Sequence, residues 1–267
     1  MGLLDGKSGI VTGAAQGFGL ASAKRLAEEG AAVALVDIKA DKVNAAAASL
    51  VSEGLNAIAV KADVSDENAT IRMLDEAEQA FGKLNFIHQN AAIQVEKLLH
   101  ETTLDEWDQL MAVNLRSMFL GAKHILPRMM RSGGGSIVNS ASILSLSADE
   151  VLPLYSASKH GVLGLTRGIA VTEAYAKAGI RCNCICPGDI RTSMVEQYWA
   201  AQPDPASAEA ETMAHYPMKR IGEPNEMADT VLYLVSDLSS FVNGTSIVVD
   251  GGAVSYTHMT LPTTPYV

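Results

Sequence analysis

The stretch Thr12-Gly13-Ala14-Ala15-Gln16-Gly17-Phe18-Gly19 decides how this chain can fold. It follows a short apolar run and opens a helical pattern, so we predict that it is the turn between a first strand and a first helix. Its glycines permit a tight turn and bring the amides of the helix N-terminus close to an anion such as a pyrophosphate. This placement favours a dinucleotide-binding loop over an ordinary glycine-rich turn.

The rest of the chain alternates short apolar runs with longer helical patterns. Strands are predicted at Gly9–Thr12, Ala32–Asp37, Ala57–Lys61, Leu84–Gln89, Ser136–Ser140, Ile180–Cys186 and Ser246–Val249. Helices are predicted near Gly19–Glu29, Ala40–Glu53, Glu67–Phe81, Asp105–Arg131, Tyr155–Lys177 and Pro224–Ser236. The alternation indicates right-handed crossovers and a parallel sheet with helices on both faces. We therefore expect an α/β protein with a single Rossmann-type, doubly wound domain over residues 1–252 and about seven parallel strands.

Two segments depart from this alternation of strands and helices. The segment Thr192–Tyr216 interrupts the alternation before the last helix, and its apolar side favours a lid over simple surface decoration. Residues 253–267 form a tail whose proline and threonine content disfavours a helix. This tail resembles translated sequencing-adapter sequence, so it is expected to be non-native and to have no catalytic role. A native arm that reaches a neighbouring subunit is the alternative.

Composition narrows the class of protein. The chain has 267 residues, of which 48% are hydrophobic and 19% charged, which is enough apolar material for a sizeable core. The formal charge of −10 argues against nonspecific binding to nucleic acid or to acidic membranes. The sequence contains no apolar run of about 18 residues and leads directly into a strand. We expect a soluble cytoplasmic protein without a signal peptide and without a nucleic-acid or membrane partner.

Three cysteines alternate along one predicted strand: Cys182, Cys184 and Cys186. The alternation places their side chains on one face of the strand. Tetrahedral metal sites rarely use such tight spacing, and no histidine lies nearby in the sequence. We therefore expect buried thiols, no metal site and no disulfide framework.

Polar residues are predicted at the carboxyl ends of strands, where open α/β sheets bind ligands. Asp37 ends the second strand, roughly twenty residues after the glycine-rich turn, at the place of a carboxylate that binds the adenosine ribose. Because a carboxylate there would repel a 2′-phosphate, it predicts NAD over NADP, although Lys39 could soften the preference. Further contacts to adenine and ribose are expected from Asp63, Val64, Asn90, Ala91 and Ala92.

Tyr155 and Lys159 lie four residues apart in a helical pattern, which places both side chains on one face, a turn apart. A fixed ammonium favours the phenolate, so it should lower the pKa of the phenol from about 10 toward the range useful for proton transfer. By itself the spacing is common and usually marks a solvated helix face.

Taken in order, these segments resemble the short-chain dehydrogenase/reductase family from about Leu4 to Gly252, in its branch of simple oxidoreductases. The matching elements are the glycine-rich loop, Asp63-Val64, Asn90-Ala91, Asn114, Ser142, Tyr155 with Lys159, Pro187-Gly188 and the closing Val249-Asp250-Gly251-Gly252.

The resemblance implies a role for each catalytic position. Tyr155 would exchange a proton with the substrate oxygen, and Lys159 would lower its pKa and bind the nicotinamide ribose. Ser142 would hydrogen-bond the substrate oxygen, and its spacing to Tyr155 favours it over Ser140. Asn114 would hold a water that links Lys159 to solvent. The cofactor-binding set implied in the same way is Gly13, Gln16, Gly17, Phe18, Gly19, Asp37, Ile38, Asp63, Val64, Asn90, Ala91, Ala92, Tyr155, Lys159, Pro187, Gly188, Ile190 and Thr192.

The chain departs from the family pattern at two places. Gln89-Asn90-Ala91-Ala92 stands where the family commonly has Asn-Asn-Ala-Gly, and Ser145 stands where glycine is frequent. We expect the first change to be a packing adjustment that retains cofactor binding. Neither change is expected to impair the chemistry.

These features predict an NAD(H)-dependent oxidoreductase that interconverts a secondary alcohol and a ketone, with a tyrosine as general acid and base. A 3-oxoacyl-thioester (acyl-carrier-protein) reductase is the nearest alternative, and Asp37 and the acidic charge count against it. A non-catalytic dinucleotide sensor or scaffold is the alternative of another class. Such proteins typically lose the tyrosine or the lysine, whereas this chain has both.

Two further expectations concern the substrate and the assembly. By family resemblance, the long helices Asp105–Arg131 and Tyr155–Lys177 would pair in a homotetramer. Substrate choice should depend on a partly apolar and partly acidic set of residues, namely Gln94, Leu144, Asp149, Glu150, Leu152, Asp189, Met194 and Trp199.

Overall fold

A computed structural model describes residues 2–255 of the protein, apart from the side chain of Met194. Seven strands form one sheet: β1 Ser8–Thr12, β2 Ala32–Asp37, β3 Ala57–Lys61, β4 Phe86–Gln89, β5 Gly135–Ser140, β6 Ile180–Pro187 and β7 Ser246–Val249. Their order is β3-β2-β1-β4-β5-β6-β7, and every neighbouring pair is parallel. The predicted α/β class and seven-stranded parallel sheet are confirmed. From residue 256 onward, the predicted tail lies outside the described residues.

Helices cover both faces of this sheet. They are α1 Gly17–Glu28, α2 Ala40–Ser52, α3 Glu67–Phe81, α4 Leu104–Met111, α5 Ser117–Ser132, α6 Pro153–Ala170, α7 Glu173–Lys177, α8 Ser193–Ala200, α9 Pro205–Ala214 and α10 Pro224–Val235. One apolar cluster joins the sheet to α1, α2 and α10, and a second joins it to α3 and α5. Burial on both faces explains why β1 is buried along its whole length.

Each of the two long helices predicted from the sequence is divided. The first consists of α4 and α5, joined by a π turn at Ala112–Arg116. Asn114 lies in this turn and exchanges two hydrogen bonds with the backbone of Ile93, which anchors the widened turn to the segment after β4. The second ends at Ala170, because Thr172 leaves the helical conformation (ψ 108°) and its hydroxyl donates to the carbonyl of Gly168.

The insertion at residues 192–216 contains α8 and α9 and has a small apolar core of its own. Trp199, Tyr216 and Ile221 are buried there, with Val195 and Met213 packed against them. Asp204 begins α9 by accepting hydrogen bonds from the backbone amides of Ala206 and Ser207. The insertion therefore packs as a separate unit beside the carboxyl ends of the central strands.

The cysteines lie inside the protein. All three are buried free thiols, and burial raises the pKa of Cys182 to about 12. Among residues 2–255, no group of three or more His, Cys, Asp and Glu side chains is arranged to hold a metal ion. Over the same range, no helix is long and apolar enough to cross a membrane.

His88 is a fully buried polar residue at the centre of the sheet, on β4. Its Nε2 atom lies 2.9 Å from the hydroxyl of Ser140, and its ring contacts Phe18 with the centroids 5.1 Å apart. Its Nδ1 atom is buried without a hydrogen-bond partner among the described residues. Burial lowers the pKa of His88 from 6.5 to about 3, so the folded protein holds this ring neutral.

This neutral histidine predicts a loss of stability in acid. Below about pH 6.5 the unfolded chain binds a proton at residue 88 that the folded protein does not bind. The free energy of unfolding should therefore fall between about pH 6.5 and pH 3, by up to about 1.4 kcal/mol per pH unit from this residue. Urea unfolding of the wild type and of His88→Asn across this range measures the difference. The exposed His100 provides the matched control, His100→Asn. Parallel pH profiles for wild type and His88→Asn would contradict a neutral, buried His88.

Candidate active site

A cleft of about 2390 Å³ lies at the carboxyl ends of the strands, between the glycine-rich loop and the insertion. Parallel strands place their carboxyl ends at the same edge of the sheet, so residues distant in sequence meet there. The glycine-rich loop, the ends of β2, β4 and β5, and the start of α6 contribute to its walls.

The glycine-rich loop has the close backbone approaches that its sequence predicts. Gly13 has φ +64°, and a Cβ there would lie 2.9 Å from the Cα of Ala91. A Cβ on Gly19 would lie 2.2 Å from the carbonyl oxygen of Gly13. Within residues 2–255 the N-terminus of α1 has no side-chain cap from Gln16, and no acidic residue lies in its first turn. Its free amides and dipole are suited to the pyrophosphate of a dinucleotide.

Asp37 lies directly against this loop. Its Oδ2 atom accepts a hydrogen bond from the amide of Ala15 (3.2 Å), and its Oδ1 atom accepts one from the amide of Lys39 (3.0 Å). The ammonium of Lys42 lies 3.2 Å from Oε1 of Gln16 in the loop. This end of the cleft thus combines one fixed carboxylate with two nearby lysines.

A chain of hydrogen bonds joins the loop to the middle of the sheet. The side chain of Asn90, just after β4, donates to the carbonyl of Thr12 at the end of β1 (3.2 Å). The hydroxyl of Thr12 accepts from the amides of Asn90 and Ala91. The hydroxyl of Ser140, at the end of β5, donates to Oδ1 of Asn90 (3.2 Å). The ends of three strands are fixed to one another in this way.

Lys159 is 1% exposed, and its ammonium donates a hydrogen bond to the carbonyl of Ser140 (2.7 Å). Its Nζ atom lies 5.3 Å from the centre of the Tyr155 ring. Burial lowers the pKa of Lys159 to about 8. The helical spacing predicted from the sequence therefore does bring lysine and tyrosine together in the cleft.

The expected lowering of the Tyr155 pKa is wrong, because the structure raises it. Burial raises the pKa of Tyr155 to about 12, with a smaller increase from the charge of Asp189, and the Ser142 side chain opposes the shift. The hydrogen bond of Lys159 is directed to Ser140, and dehydration of the phenolate dominates. Helical spacing in the sequence predicts that Tyr155 and Lys159 lie close together. Burial determines whether the neutral phenol or the charged phenolate of Tyr155 is the more stable form.

Ser142 stands at the entrance of a short 3₁₀ turn, and Ser145 holds it in place. The hydroxyl of Ser142 accepts from the amide of Leu144 (3.1 Å). The amide of Ser142 donates to the hydroxyl of Ser145 (3.2 Å), which donates to the carbonyl of Lys159 (2.8 Å). Ser145 thus links the backbone of Ser142 to the helix that carries Tyr155. This is the position at which glycine is frequent in the family.

The segment Pro187–Thr192 runs from the sheet across to the glycine-rich loop. The amide of Gly188 donates to the carbonyl of Val249 (3.1 Å), which fixes its start. The side chain of Thr192 lies over Gly17, within 3.3 Å of the position that a Cβ would occupy there. The side chain of Gln16 donates to the hydroxyl of Ser193 (3.3 Å). This segment therefore contacts the glycine-rich loop at the start of α1.

A family model described as Enoyl-(Acyl carrier protein) reductase matches residues 13–254. The chain belongs to the short-chain dehydrogenase/reductase family. It is 39% identical over 244 residues to cis-4-hydroxycyclohexanecarboxylate dehydrogenase of Sinomonas cyclohexanicum, covering 91% of this chain and 94% of the relative. It is 39% identical over 251 residues to an NADP-dependent (R)-specific alcohol dehydrogenase of Lentilactobacillus kefiri, covering 93% and 97%.

Solved structures of the family agree with the fold. The crystal structure of levodione reductase superposes with a TM-score of 0.90 at 34% identity, covering 95% of this chain and all of that one. The relatives named here are described as dehydrogenases or reductases of alcohols and ketones, and one of them as NADP-dependent. The protein is therefore an oxidoreductase of this family that acts on CH–OH groups.

Most of the predicted site residues of this short-chain dehydrogenase/reductase line the cleft. All members of the predicted cofactor set do so, as do Ser142, Gln94, Leu144, Leu152 and Asp189. Asn114 does not line it, because it is fully buried in the π turn, where its amide donates to the hydroxyl of Ser158 (3.2 Å) and to the carbonyl of Ile93.

Two substrate predictions do not match the structure, and one cannot be compared with it. Trp199 is 5% exposed and lies inside the insertion, where its ring nitrogen donates to the hydroxyl of Thr212 (3.0 Å). Glu150 is exposed and is not among the residues of the cleft wall. The side chain of Met194 lies outside the described part of the chain.

Two aromatic residues of the cleft wall, His215 and Tyr216, were missed from the sequence, whereas Tyr198 belongs to the predicted apolar side of the lid. Val195 lies between two neighbours on α8, since it packs against Trp199 in the insertion core and also lines the cleft with Tyr198. Helical periodicity does not show which of Tyr198 and Trp199 meets the cleft. For His215 and Tyr216 no local pattern gives a signal.

The bonds of Ser145 predict a measurable effect on stability. Ser145→Ala leaves the buried amide of Ser142 without its acceptor, so the free energy of unfolding should fall by about 1–3 kcal/mol. Ser147→Ala is the matched control, because it removes an exposed hydroxyl that donates to the carbonyl of Ile143 in the same turn. Urea unfolding should show a change within about 0.5 kcal/mol for this control. Equal effects of the two substitutions would mean that the Ser145 bonds do not hold the turn.

Proposed function

We propose that the protein interconverts a secondary alcohol and a ketone with NAD(H), in the cleft described above. The observation that carries this proposal is that Ser142, Tyr155 and Lys159 line the same cleft as the glycine-rich loop and Asp37. A bound nicotinamide dinucleotide would accept or supply the hydride. The free amides at the start of α1 and the fixed carboxylate of Asp37 fit its pyrophosphate and ribose.

Tyr155 is the proposed proton donor for ketone reduction. A pKa of about 12 keeps its phenol protonated at neutral pH, so a proton is available for the carbonyl oxygen. In the opposite direction the phenolate must form, and the ammonium of Lys159 is placed to stabilise it at 5.3 Å from the ring centre. We therefore expect alcohol oxidation to become faster as the pH rises to about 8, above which Lys159 loses the charge that stabilises the phenolate.

Ser142 is the proposed second donor to the substrate oxygen. During reduction that oxygen gains negative charge, and a donor already fixed in position lowers the energy of the transition state without reorganisation. Ser145 fixes the backbone of Ser142 through two hydrogen bonds, one to the amide of Ser142 and one to α6.

Asn114 is proposed to hold a water near Lys159. Its contact with Ser158 on α6 supports this placement.

The preference for NAD rests on Asp37. Its carboxylate, held by two backbone amides, presents negative charge where NADP carries a 2′-phosphate. Lys39 and Lys42 lie on the same side and would reduce the repulsion. We infer that NAD is preferred and that NADP is used less well.

Further parts of the proposal concern the organisation of the chain. We propose one catalytic domain over residues 1–252, with residues 192–216 as a lid. The support for the lid is that the contacts of Gln16 and Thr192 bring the insertion onto the glycine-rich loop.

A homotetramer is also proposed. Its support is the exposed apolar surface of α4 and α5, which includes Leu104, Trp107 and Phe119.

A panel of secondary alcohols and ketones, assayed by NADH absorbance with both cofactors, tests the activity. Tyr155→Phe should lower kcat by about 10²–10⁴-fold, because it removes the proton that the substrate oxygen needs. NADH binding, followed by fluorescence, should change little. Tyr175→Phe, which removes a hydroxyl outside the cleft wall, is the control. Full activity in Tyr155→Phe would remove this residue from the mechanism.

Asp37→Ala tests the cofactor assignment. It removes the carboxylate and its repulsion of a 2′-phosphate, so the ratio of kcat/KM for NAD to that for NADP should fall by about 10- to 100-fold. Asp41→Ala, an exposed acidic residue at the start of α2, is the matched control and should leave the ratio unchanged. An unchanged ratio in Asp37→Ala would show that another group selects the cofactor.

A further inference from the structure

Asp189, the first residue after Pro187-Gly188, is held by one phenol in two ways. The amide of Asp189 donates to the hydroxyl oxygen of Tyr216 (2.7 Å), and the same hydroxyl donates its proton to Oδ2 of Asp189 (2.9 Å). Tyr216 is 3% exposed, so this hydroxyl has no competing water on most of its surface. A Cβ on Gly188 would lie 2.9 Å from the Tyr216 ring, so glycine is needed for this contact.

The backbone of Asp189 is fixed as well as its side chain. Its carbonyl accepts a hydrogen bond from the amide of Gly222 (2.9 Å), and the amide of Arg191 donates to the carbonyl of Gly222 (2.8 Å). Ile190 and Gly222 form a short parallel bridge between these bonds. The direction of the carboxylate is therefore set by the fold before a substrate enters.

The second oxygen of this carboxylate is left available at the cleft wall. Asp189 is exposed and lines the cleft wall together with Tyr155, and Oδ1 has no hydrogen-bond partner among residues 2–255. Over the same range no lysine, arginine or histidine forms an ion pair with it. The single proton of Tyr216 is already used at Oδ2, so Oδ1 is left as an acceptor.

The charge of Asp189 also reaches the catalytic phenol, because it contributes to the raised pKa of Tyr155. Dehydration raises the pKa of Asp189 itself, and this is the largest effect. The hydrogen bond from Tyr216 and the charge of His215 lower this pKa, and the charge of Asp149 raises it. An acceptor that is partly dehydrated makes a stronger hydrogen bond than one in open water.

We propose that Asp189, oriented by Tyr216, is a second polar subsite that accepts a hydrogen bond from another hydroxyl of the substrate, near the carbinol carbon. The inference rests on the proposed function and narrows it, since the preferred substrates are diols and the corresponding hydroxyketones. A simple alcohol leaves Oδ1 without a partner. A substrate with a carboxylate at the same place meets like charge, so the subsite rejects it.

The test compares cyclohexanol, trans-cyclohexane-1,2-diol and trans-2-hydroxycyclohexanecarboxylate as substrates. In the wild type, kcat/KM for the diol should exceed that for cyclohexanol by about tenfold or more, and the carboxylate should be the poorest. Asp189→Ala should bring the ratio of diol to cyclohexanol close to one and reduce the discrimination against the carboxylate. Asp189→Asn keeps the shape and should retain only part of the diol preference.

Two further variants separate the subsite from general effects. Tyr216→Phe keeps the buried ring but releases Oδ2, so it should lower the diol ratio by less than Asp189→Ala. Glu196→Gln removes a negative charge from the insertion at an exposed position outside the cleft wall and should leave the ratio unchanged.

The outcomes distinguish this inference from the proposed function. If the wild type oxidises cyclohexanol and the diol equally well, or if Asp189→Ala and Asp189→Asn keep the full diol ratio, the subsite is wrong and the alcohol dehydrogenase activity stands. If the wild type binds NADH but turns over none of the alcohols and ketones of the wider panel, the proposed function fails and the subsite fails with it.

Discussion

The buried ammonium of Lys159 is the constraint on which the rest of the site depends. A charge removed from water is strongly unfavourable unless hydrogen bonds replace its hydration. The partner given by the fold is the carbonyl of Ser140 at the end of β5, 2.7 Å away. This bond fixes α6 against the sheet. Tyr155 lies one turn before Lys159 and Ser142 lies two residues after Ser140, so the same bond positions both residues in the cleft wall, where we propose that their hydroxyls meet the substrate.

The constraint extends across the sheet to the glycine-rich loop. Ser140 also contacts His88 and donates to Asn90, and Asn90 in turn donates to Thr12. Lys159 and the glycine-rich loop are therefore joined by hydrogen bonds through β5, β4 and β1, some buried and some partly buried. A displacement at one end leaves polar groups without partners further along. The distance between the proposed proton-transfer residues and the proposed cofactor loop is thus set by the sheet.

This dependence explains which parts the sequence could predict. The glycine-rich loop, Asp37 and Ser142 follow strands, and parallel register alone brings strand ends to one edge. The pKa of Tyr155 depends on burial by the surrounding elements, which helical spacing does not contain. Trp199 was misplaced for a similar reason, since the orientation of α8 is set by distant contacts with Tyr216 and Ile221. The position of Asn114 in the π turn was likewise not predicted, because it depends on hydrogen bonds to the backbone of Ile93, twenty-one residues away in the sequence.

The proposed substrate side of the cleft depends also on the small apolar core of the insertion. Tyr216 belongs to that core, yet its hydroxyl orients Asp189, whose backbone continues from β6. The Tyr216–Asp189 bonds therefore connect the insertion to the strand ends that carry the proposed catalytic residues. A change in the packing of the insertion moves the phenol first, and the carboxylate follows it, while the bond between Lys159 and Ser140 lies outside that path. Substrate preference can consequently change in this fold without a change in the proton-transfer geometry.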